Sequence, residues 1–199
     1  MKNKNQILKM AQLAILTAIV ILFQLLGSFI HIGPTSISLV LIPIVIGAIL
    51  LGPASGAFLG FVFGAITLIA GITGTDGFTH ILFSAQPIAT SVICIAKATL
   101  AGLGAGWVYK ALKNANTLLA SIAAAAAAPI INTGLFVLGG LFLVNQTLSA
   151  NFVAEGQTLV YFVVIGCAGI NFIAEFIVNI VVSPAINTIV RALSGKISK

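Results

Sequence analysis

Residues 159–189 read LVYFVVIGCAGINFIAEFIVNIVVSPAINTI, a stretch of 31 residues with a single charged side chain, Glu175. A helix needs about 20 consecutive apolar residues to cross the hydrocarbon core of a bilayer. The stretch exceeds that length, and it lacks the alternation of apolar and polar residues that is typical of membrane β-strands. It therefore predicts a membrane-spanning helix in an all-α integral membrane protein.

Five further apolar segments precede this one, so the sequence predicts a six-transmembrane-helix bundle. The spans lie at approximately 10–30, 38–51, 54–72, 84–109, 117–144 and 159–189, within a single membrane domain of residues 1–199. Composition agrees, because 60% of the residues are hydrophobic and 6% are charged. Soluble domains carry about 25% charged residues. The composition therefore excludes a soluble globular protein.

The positions of the basic residues predict the orientation of the bundle. Lysine and arginine are enriched in the cytoplasmic segments of membrane proteins. With six spans, one side of the membrane receives Lys2, Lys4, Lys9, Lys110, Lys113, Arg191, Lys196 and Lys199. Asp76 and Glu155 fall on the opposite side. We therefore expect an N-in/C-in topology, and we attribute the net charge of +6 to orientation instead of nucleic-acid binding.

Lys97 and Glu175 are the two charged residues inside predicted spans. A charge near the bilayer centre costs about 2.5–3.5 kcal/mol on insertion scales, so each should face the bundle interior and have a partner or a task. Two interpretations are open. The residues form an ion pair that joins two helices, or they belong to a polar site in which Lys97 binds a carboxylate or phosphate.

Polar residues in the same spans extend this candidate site. Asn171, Glu175 and Asn179 are spaced four residues apart and therefore share one helix face. Such a face is expected to point away from lipid. Asn132 follows Pro129, which loosens the helix and leaves backbone groups able to bind a ligand. These residues predict a solute-binding site inside the bundle.

Two residues near the outer end of the fourth span complete the candidate site. Gln86 lies at the mouth of that span, and His80 lies in the loop before it. A lone histidine in a loop is more often a solvated or capping residue than a ligand. The candidate substrate-binding residues are Lys97, Asn132, Asn171, Glu175, Gln86 and His80.

Motifs of catalysis and metal binding are missing from the sequence. It contains no G-x-S-x-G, H-E-x-x-H or phosphate-binding G-x-x-x-x-G-K-[ST] motif, and it has three acidic residues in all. Cys94 and Cys167 are isolated within apolar stretches, so they indicate neither a disulfide nor a metal site. We therefore predict a protein that is not an enzyme, with no catalytic residues, cofactor or metal.

Small residues recur at intervals of four, as in Gly56, Gly60 and Gly64. In membrane proteins this spacing lets two helix backbones approach closely. We interpret the glycine series as intramolecular helix packing.

Several stretches resemble the substrate-binding S component of energy-coupling factor (ECF) vitamin transporters. Residues 38–60, SLVLIPIVIGAILLGPASGAFLG, are similar to that family's second span, its Gly-Pro-x-x-Gly turn and the start of its third span. Residues 129–139, PIINTGLFVLG, and 171–186, NFIAEFIVNIVVSPAI, are also similar. The resemblance covers nearly the whole chain. It implies a binding subunit for vitamin uptake in a bacterial plasma membrane.

The resemblance also implies partners. S components act with a transmembrane T component and two cytoplasmic ATPases, in an ABC-type transporter. In the family, an A-x-x-x-A patch on the first helix faces the T component, and Ala14 and Ala18 fit that pattern. Small side chains allow close helix contact without a fixed polar register. The resemblance further implies an outward-facing pocket that is capped by loops such as residues 73–79.

The substrate implied is pantothenate, because the chain is most similar to the pantothenate branch. Lys97 takes the place where that branch usually has arginine, which keeps the charge but loses the bidentate geometry. Lys97 would pair with a carboxylate, while Asn132, Asn171 and Glu175 would bind hydroxyl and amide groups. Because Glu175 is unfavourable beside an anion, a neutral or cationic vitamin, such as vitamin B6 or riboflavin, stays as an alternative. Folate also stays as an alternative. A structural membrane protein that transports nothing is another alternative.

Overall fold

In the computed structural model, the described backbone comprises residues 2–27, 31–32, 35–36 and 39–197, and the described side chains are those of residues 5–27, 39–190 and 192. Residues 28–30 and Ser38 of the predicted spans, and Lys199 among the basic residues used for orientation, lie outside the described residues.

The described chain is almost entirely helical, which confirms the predicted α-helical class. In chain order the helices are α1 (Lys2–Gly27), α2 (Leu41–Leu50), α3 (Pro53–Thr73), α4 (Gly77–Ala85), α5 (Pro87–Leu112), α6 (Thr117–Phe142), α7 (Asn145–Phe152), α8 (Leu159–Tyr161) and α9 (Ile170–Ile197). A π-helix, Phe162–Gly169, joins α8 to α9. A short antiparallel hairpin pairs His31 with Ser36 and Ile32 with Thr35.

Five helical segments are long and apolar enough to cross a membrane. They are Asn5–Gly27, Pro53–Thr73, Pro87–Leu112, Thr117–Phe142 and Leu159–Val190. The sixth apolar helix, α2, has ten residues. At 1.5 Å per residue it is about 15 Å long, which is half of a typical hydrocarbon core of about 30 Å. Gly52 has a positive φ of 104°, which separates α2 from α3.

Two segments that the sequence assigns to loops contain helices. Asp76 caps the N-terminus of α4, because its side chain accepts a hydrogen bond from the backbone N–H of Thr79 at 3.2 Å. Helix α4 ends at Ala85, and α5 starts two residues later at Pro87. The predicted polar loop after the fifth span contains α7. Both helices lie at the end of the bundle where the candidate site is found.

Helices α3 and α5 pack backbone to backbone. Gly60 and Gly64 lie on the face of α3 that contacts α5. A Cβ atom at Gly64 would lie 2.5 Å from the carbonyl oxygen of Cys94, and one at Gly60 would overlap the carbonyl of Ala98. No side chain larger than hydrogen fits at such a distance, so the glycines fix the position of the middle of α5.

The apolar core has separate clusters at different places in the bundle. Small and branched side chains of α2, α6 and α9 form one, including Val45, Ala124, Ala128 and Ile186. Another is formed by side chains of α4, α5, α7 and the π-helix, and it contains Phe78, Leu148 and Phe162. The polar side chains described next belong to neither cluster.

Candidate functional site

A cavity of about 90 Å³ lies among α1, α3, α4, α5, α6, α7 and α9. We call it the first cavity. Its polar lining includes Asp76, Thr90, Lys97, Asn132 and Glu175. Because a buried water molecule needs about 10–15 Å³ by this kind of measure, the space holds several water molecules or part of a small solute.

A second cavity, of about 70 Å³, adjoins the first. The two cavities share Lys97, Asn132, Phe136 and Glu175, which we call the shared wall. Asn171 lines the second cavity only. Four of the six predicted substrate-binding residues are therefore brought together from three helices, α5, α6 and α9.

Lys97 is half-buried in the middle of α5. Its Nζ atom lies 5.2 Å from the centroid of the Phe136 ring. A cation over an aromatic face at this distance is stabilised by the electrostatic field of the ring. Phe136 therefore helps to hold the ammonium group at the boundary between the two cavities.

The polar face predicted for the last span points into the protein. Asn171, Glu175 and Asn179 are 8%, 6% and 1% exposed. The same spacing continues through Ser183 and Asn187, which are also buried and which the sequence analysis did not single out. The polar face of α9 therefore extends well beyond the cavities.

Two buried polar atoms of the first cavity are unpaired among the described residues. They are Oδ1 of Asn132 and Oγ1 of Thr90, whose side chains are 6% and 1% exposed. Buried polar atoms in proteins nearly always have a hydrogen-bond partner, and each exception needs an explanation. Their position in the lining of a cavity makes them available to a solute or to water.

Asp76 is a cavity residue that the sequence analysis missed. It was assigned to a loop, but its carboxylate also accepts a hydrogen bond from the hydroxyl of Thr79 at 2.9 Å, and both residues line the first cavity. The signal was present, since an aspartate directly before an apolar run is typical of a helix N-cap. Asp76 brings a second carboxylate to a site with one lysine.

Other cavity residues come from helices that the sequence analysis did not connect with the site. Gln24 on α1 donates a hydrogen bond from Nε2 to Oγ1 of Thr67 on α3, at 3.3 Å. The sequence signal that could have identified Gln24 and Thr67 as site residues was a polar side chain within an apolar span. Phe78 lies 6.2 Å from Phe136 and 5.0 Å from Phe152, between ring centroids. This aromatic cluster joins distant segments, so no local spacing could have predicted it.

His80 and Gln86 are placed differently from the other predicted site residues. His80 is exposed on α4, and its Nδ1 donates a hydrogen bond to the carbonyl oxygen of Gly71 at 2.8 Å. Gln86 lies at the junction of α4 and α5. Neither residue is among those that line the two cavities. Their contact with substrate stays a prediction.

Ala14 and Ala18 lie on an exposed face of α1. Leu16 and Val20, on the opposite face, are buried in the core with α2 and α3. The two alanines thus present a strip of small side chains that no other described part of the chain covers.

Comparison with known proteins places the whole bundle in one family. A family model described as ECF transporter, substrate-specific component, matches residues 8–187. No curated protein matches the sequence. The matched region includes the cavities, the shared wall and the exposed strip of α1. The chain therefore belongs to the family of substrate-specific components, or S components, of ECF transporters.

Proposed function

We propose that this chain binds a small water-soluble vitamin in its two cavities and serves as the substrate-binding subunit for its uptake. S components of ECF transporters are binding subunits and not enzymes. The observation that carries the proposal is the shared wall, where lysine, glutamate and asparagine side chains lie together inside a membrane protein. Ionisable residues in such a position are a functional site by default.

Pantothenate is the substrate that the sequence resemblance supports. In this proposal Lys97 pairs with the carboxylate of the vitamin, and Asn132, Asn171 and Glu175 bind its hydroxyl and amide groups. The unpaired Oδ1 atom of Asn132 supports a role in binding. The Asp76 and Glu175 carboxylates, which line the same cavity as Lys97, support the alternative of a neutral or cationic vitamin, such as vitamin B6 or riboflavin. Folate is a further alternative.

Titration of the purified protein with a panel of vitamins tests the proposal. Isothermal titration calorimetry is expected to give one ligand with a Kd below the micromolar range. If no vitamin binds more tightly than that, the result favours the alternative. The protein would then be a structural membrane protein in which Lys97 and Glu175 only pair with each other.

S components associate with a T component and ATPases. We propose that Ala14 and Ala18 form the surface of this chain that docks on the T component. Their exposure on α1 supports the assignment. Small side chains permit close helix approach and also release, which a subunit that alternates between free and docked states requires.

Replacing both Ala14 and Ala18 with tryptophan is expected to abolish uptake and to leave vitamin binding unchanged, because the bulky rings would block docking but lie outside the cavities. Transport of radiolabelled vitamin and titration of the purified variant measure the two effects. Leu26→Trp is the matched control, since Leu26 is exposed about 120° around α1 from Ala14. Normal uptake by the double tryptophan variant would refute the assignment of Ala14 and Ala18 to the docking surface.

We propose further that the protein has six spans, that the apolar run of residues 38–51, which contains α2, is the second of them, and that both termini face the cytoplasm of a bacterial cell. The basic residues between α5 and α6, Lys110 and Lys113, support this orientation. In a chain with Cys94 and Cys167 replaced by alanine, an impermeant thiol reagent should label the Glu155→Cys variant in intact cells, and the Lys113→Cys variant only after lysis. The reverse labelling pattern would show the opposite orientation, with both termini outside the cell.

A further inference from the structure

An apolar groove of about 460 Å³ lies on the surface of the bundle between α5 and α6. On α6, Ile130, Gly134 and Leu138 are spaced four residues apart and share one helix face. Ile130 and Leu138 are exposed, and a Cβ atom added at Gly134 would meet no atom within 4 Å. The glycine therefore leaves a gap between two large side chains. We call this gap, with the facing residues of α5, the α5–α6 groove.

The α5–α6 groove faces the lipid of the membrane. Leu100 and Trp107 form its α5 side, and both are exposed. Every described residue that lines it is hydrophobic or glycine. Because the chain is a multi-pass membrane protein, an exposed apolar surface in the middle of a span contacts hydrocarbon instead of water. The natural occupant of the groove is therefore a hydrocarbon chain.

The groove is long enough for an acyl chain. A smaller groove of about 270 Å³ shares Leu135 and Leu138 with it and extends to Val92. From Val92 to Trp107 the two grooves follow α5 for about 22 Å, at 1.5 Å per residue. The hydrocarbon of one leaflet is about 15 Å thick, half of the bilayer core. One acyl chain can thus lie along the groove over the whole depth of its leaflet.

One end of the α5–α6 groove carries positive charge. Lys110 lies seven residues after Leu103, which lines the groove, so the two are about 20° apart around α5. Lys110 is exposed, as is Lys113 at the end of the helix. Residues 77–154 contain no aspartate or glutamate, so neither α5 nor α6 provides a carboxylate for these lysines. Their charges are available to an anion in the membrane surface.

Trp107 indicates where the hydrocarbon ends. Tryptophan is enriched at the interface between the hydrocarbon and the lipid headgroups. Lys110 lies three residues further along α5, about 4.5 Å closer to the water. The surface therefore presents an apolar groove, an interfacial aromatic ring and a cation in succession. A phospholipid presents its acyl chain, its glycerol region and its phosphate group in the same order.

We propose that the α5–α6 groove binds one acyl chain of an anionic phospholipid, whose headgroup contacts Lys110. Basic residues at the ends of transmembrane helices bind anionic headgroups. A helix from a second copy fits less well, because helix association in membranes depends on small residues at the contact, and Leu100, Trp107, Ile130 and Leu138 around the groove are large. The groove is separate from the two polar cavities, so the inference does not depend on vitamin binding.

Native mass spectrometry of the purified protein tests the charge preference. Dioleoylphosphatidylglycerol is compared with dioleoylphosphatidylcholine, which has the same acyl chains and no net charge. We expect the wild type to retain the anionic lipid more strongly. Lys110→Gln should weaken its binding about 5-fold, which is the contribution of one basic residue near the headgroups, and leave phosphatidylcholine unaffected. Lys9→Gln removes an exposed lysine of α1 and should change neither. Equal retention of the two lipids by wild-type protein would overturn the inference.

Filling the groove provides the second test. Gly134→Leu should lose the retained lipid, because its side chain occupies the gap between Ile130 and Leu138. Ala11→Leu, on an exposed face of α1, is the matched control. Without added lipid both variants should unfold at the wild-type temperature in detergent. Phosphatidylglycerol should raise that temperature for the wild type and for Ala11→Leu, but not for Gly134→Leu.

Two results with Gly134→Leu would contradict the inference. Retention of phosphatidylglycerol at the wild-type level would show that the lipid binds elsewhere. A wild-type dimer that this variant converts to a monomer would show that the α5–α6 groove is an interface between two copies of the chain.

Discussion

Replacing Lys97 with alanine is expected to abolish high-affinity vitamin binding. The variant leaves Asp76 and Glu175 as two carboxylates in the lining of one cavity, without the positive charge of Lys97. Truncating one member of a buried charged group costs about 2–5 kcal/mol in binding, which is roughly 30-fold to several thousand-fold in Kd. Titration of the purified variant with the vitamin that wild-type protein binds provides the measurement.

Three companion variants assign the cause of that loss: Lys97→Arg, Lys97→Met, and a double variant. Lys97→Arg keeps the positive charge, so it should retain part of the affinity. Lys97→Met combined with Glu175→Gln removes both charges at the shared wall. If the two residues form only a structural ion pair, the double variant should recover the thermal stability that Lys97→Met loses, as double-mutant cycles predict for coupled residues. Unchanged vitamin affinity in Lys97→Ala would refute the role of Lys97 in binding.

Replacing Gly60 with leucine is expected to prevent the formation of a stable folded protein. A Cβ atom at this position would already overlap the carbonyl of Ala98, and leucine adds three further carbon atoms. Overpacking by a few atoms in a well-packed core costs about 1–3 kcal/mol even where the backbone can adjust. Here the obstacle is backbone, so the loss should exceed that range. Yield of monodisperse protein in detergent and its thermal unfolding temperature measure the effect.

Gly134→Leu is the matched control for this variant. Gly134 is also a helical glycine in a long apolar helix, but a Cβ atom added there would meet no atom within 4 Å. It should therefore express and unfold like the wild type. Gly60→Ala should fall between the two variants. If Gly60→Leu were as stable as Gly134→Leu, the close packing of α3 on α5 would not be essential for the fold.

Membrane physics explains why part of the site was predictable. In an apolar span, a polar side chain must face the protein interior. Lys97, Asn132, Asn171 and Glu175 were therefore recognisable from sequence, and all four line a cavity. Asp76 was not recognised as a site residue, because a charged side chain in a connecting segment need not face the protein interior. Its position in the lining of the first cavity depends on how α4 packs against α3 and α5, which no local pattern encodes.

The residues at which the helices begin and end were less predictable than the presence of the long helices. Hydropathy identifies an apolar run over residues 38–51, but the helix itself comprises Leu41–Leu50. A short apolar helix and a full span have the same local composition, so the turn at Gly52 decides where α2 ends. Similarly, α7 is short and carries few apolar residues, so periodicity does not distinguish it from a loop.

The π-helix at Phe162–Gly169 makes the number of residues before α9 matter as much as their identity. It contributes Cys167 and Ala168 to the second cavity and leads directly into the helix that carries Asn171 and Glu175. Each residue of an α-helix turns the chain by about 100°, and each residue of the wider π-helix turns it by somewhat less. One residue more or fewer in this segment would rotate both polar side chains toward another side of the bundle. Chain length between Leu159 and Ile170 is therefore itself a determinant of the binding site.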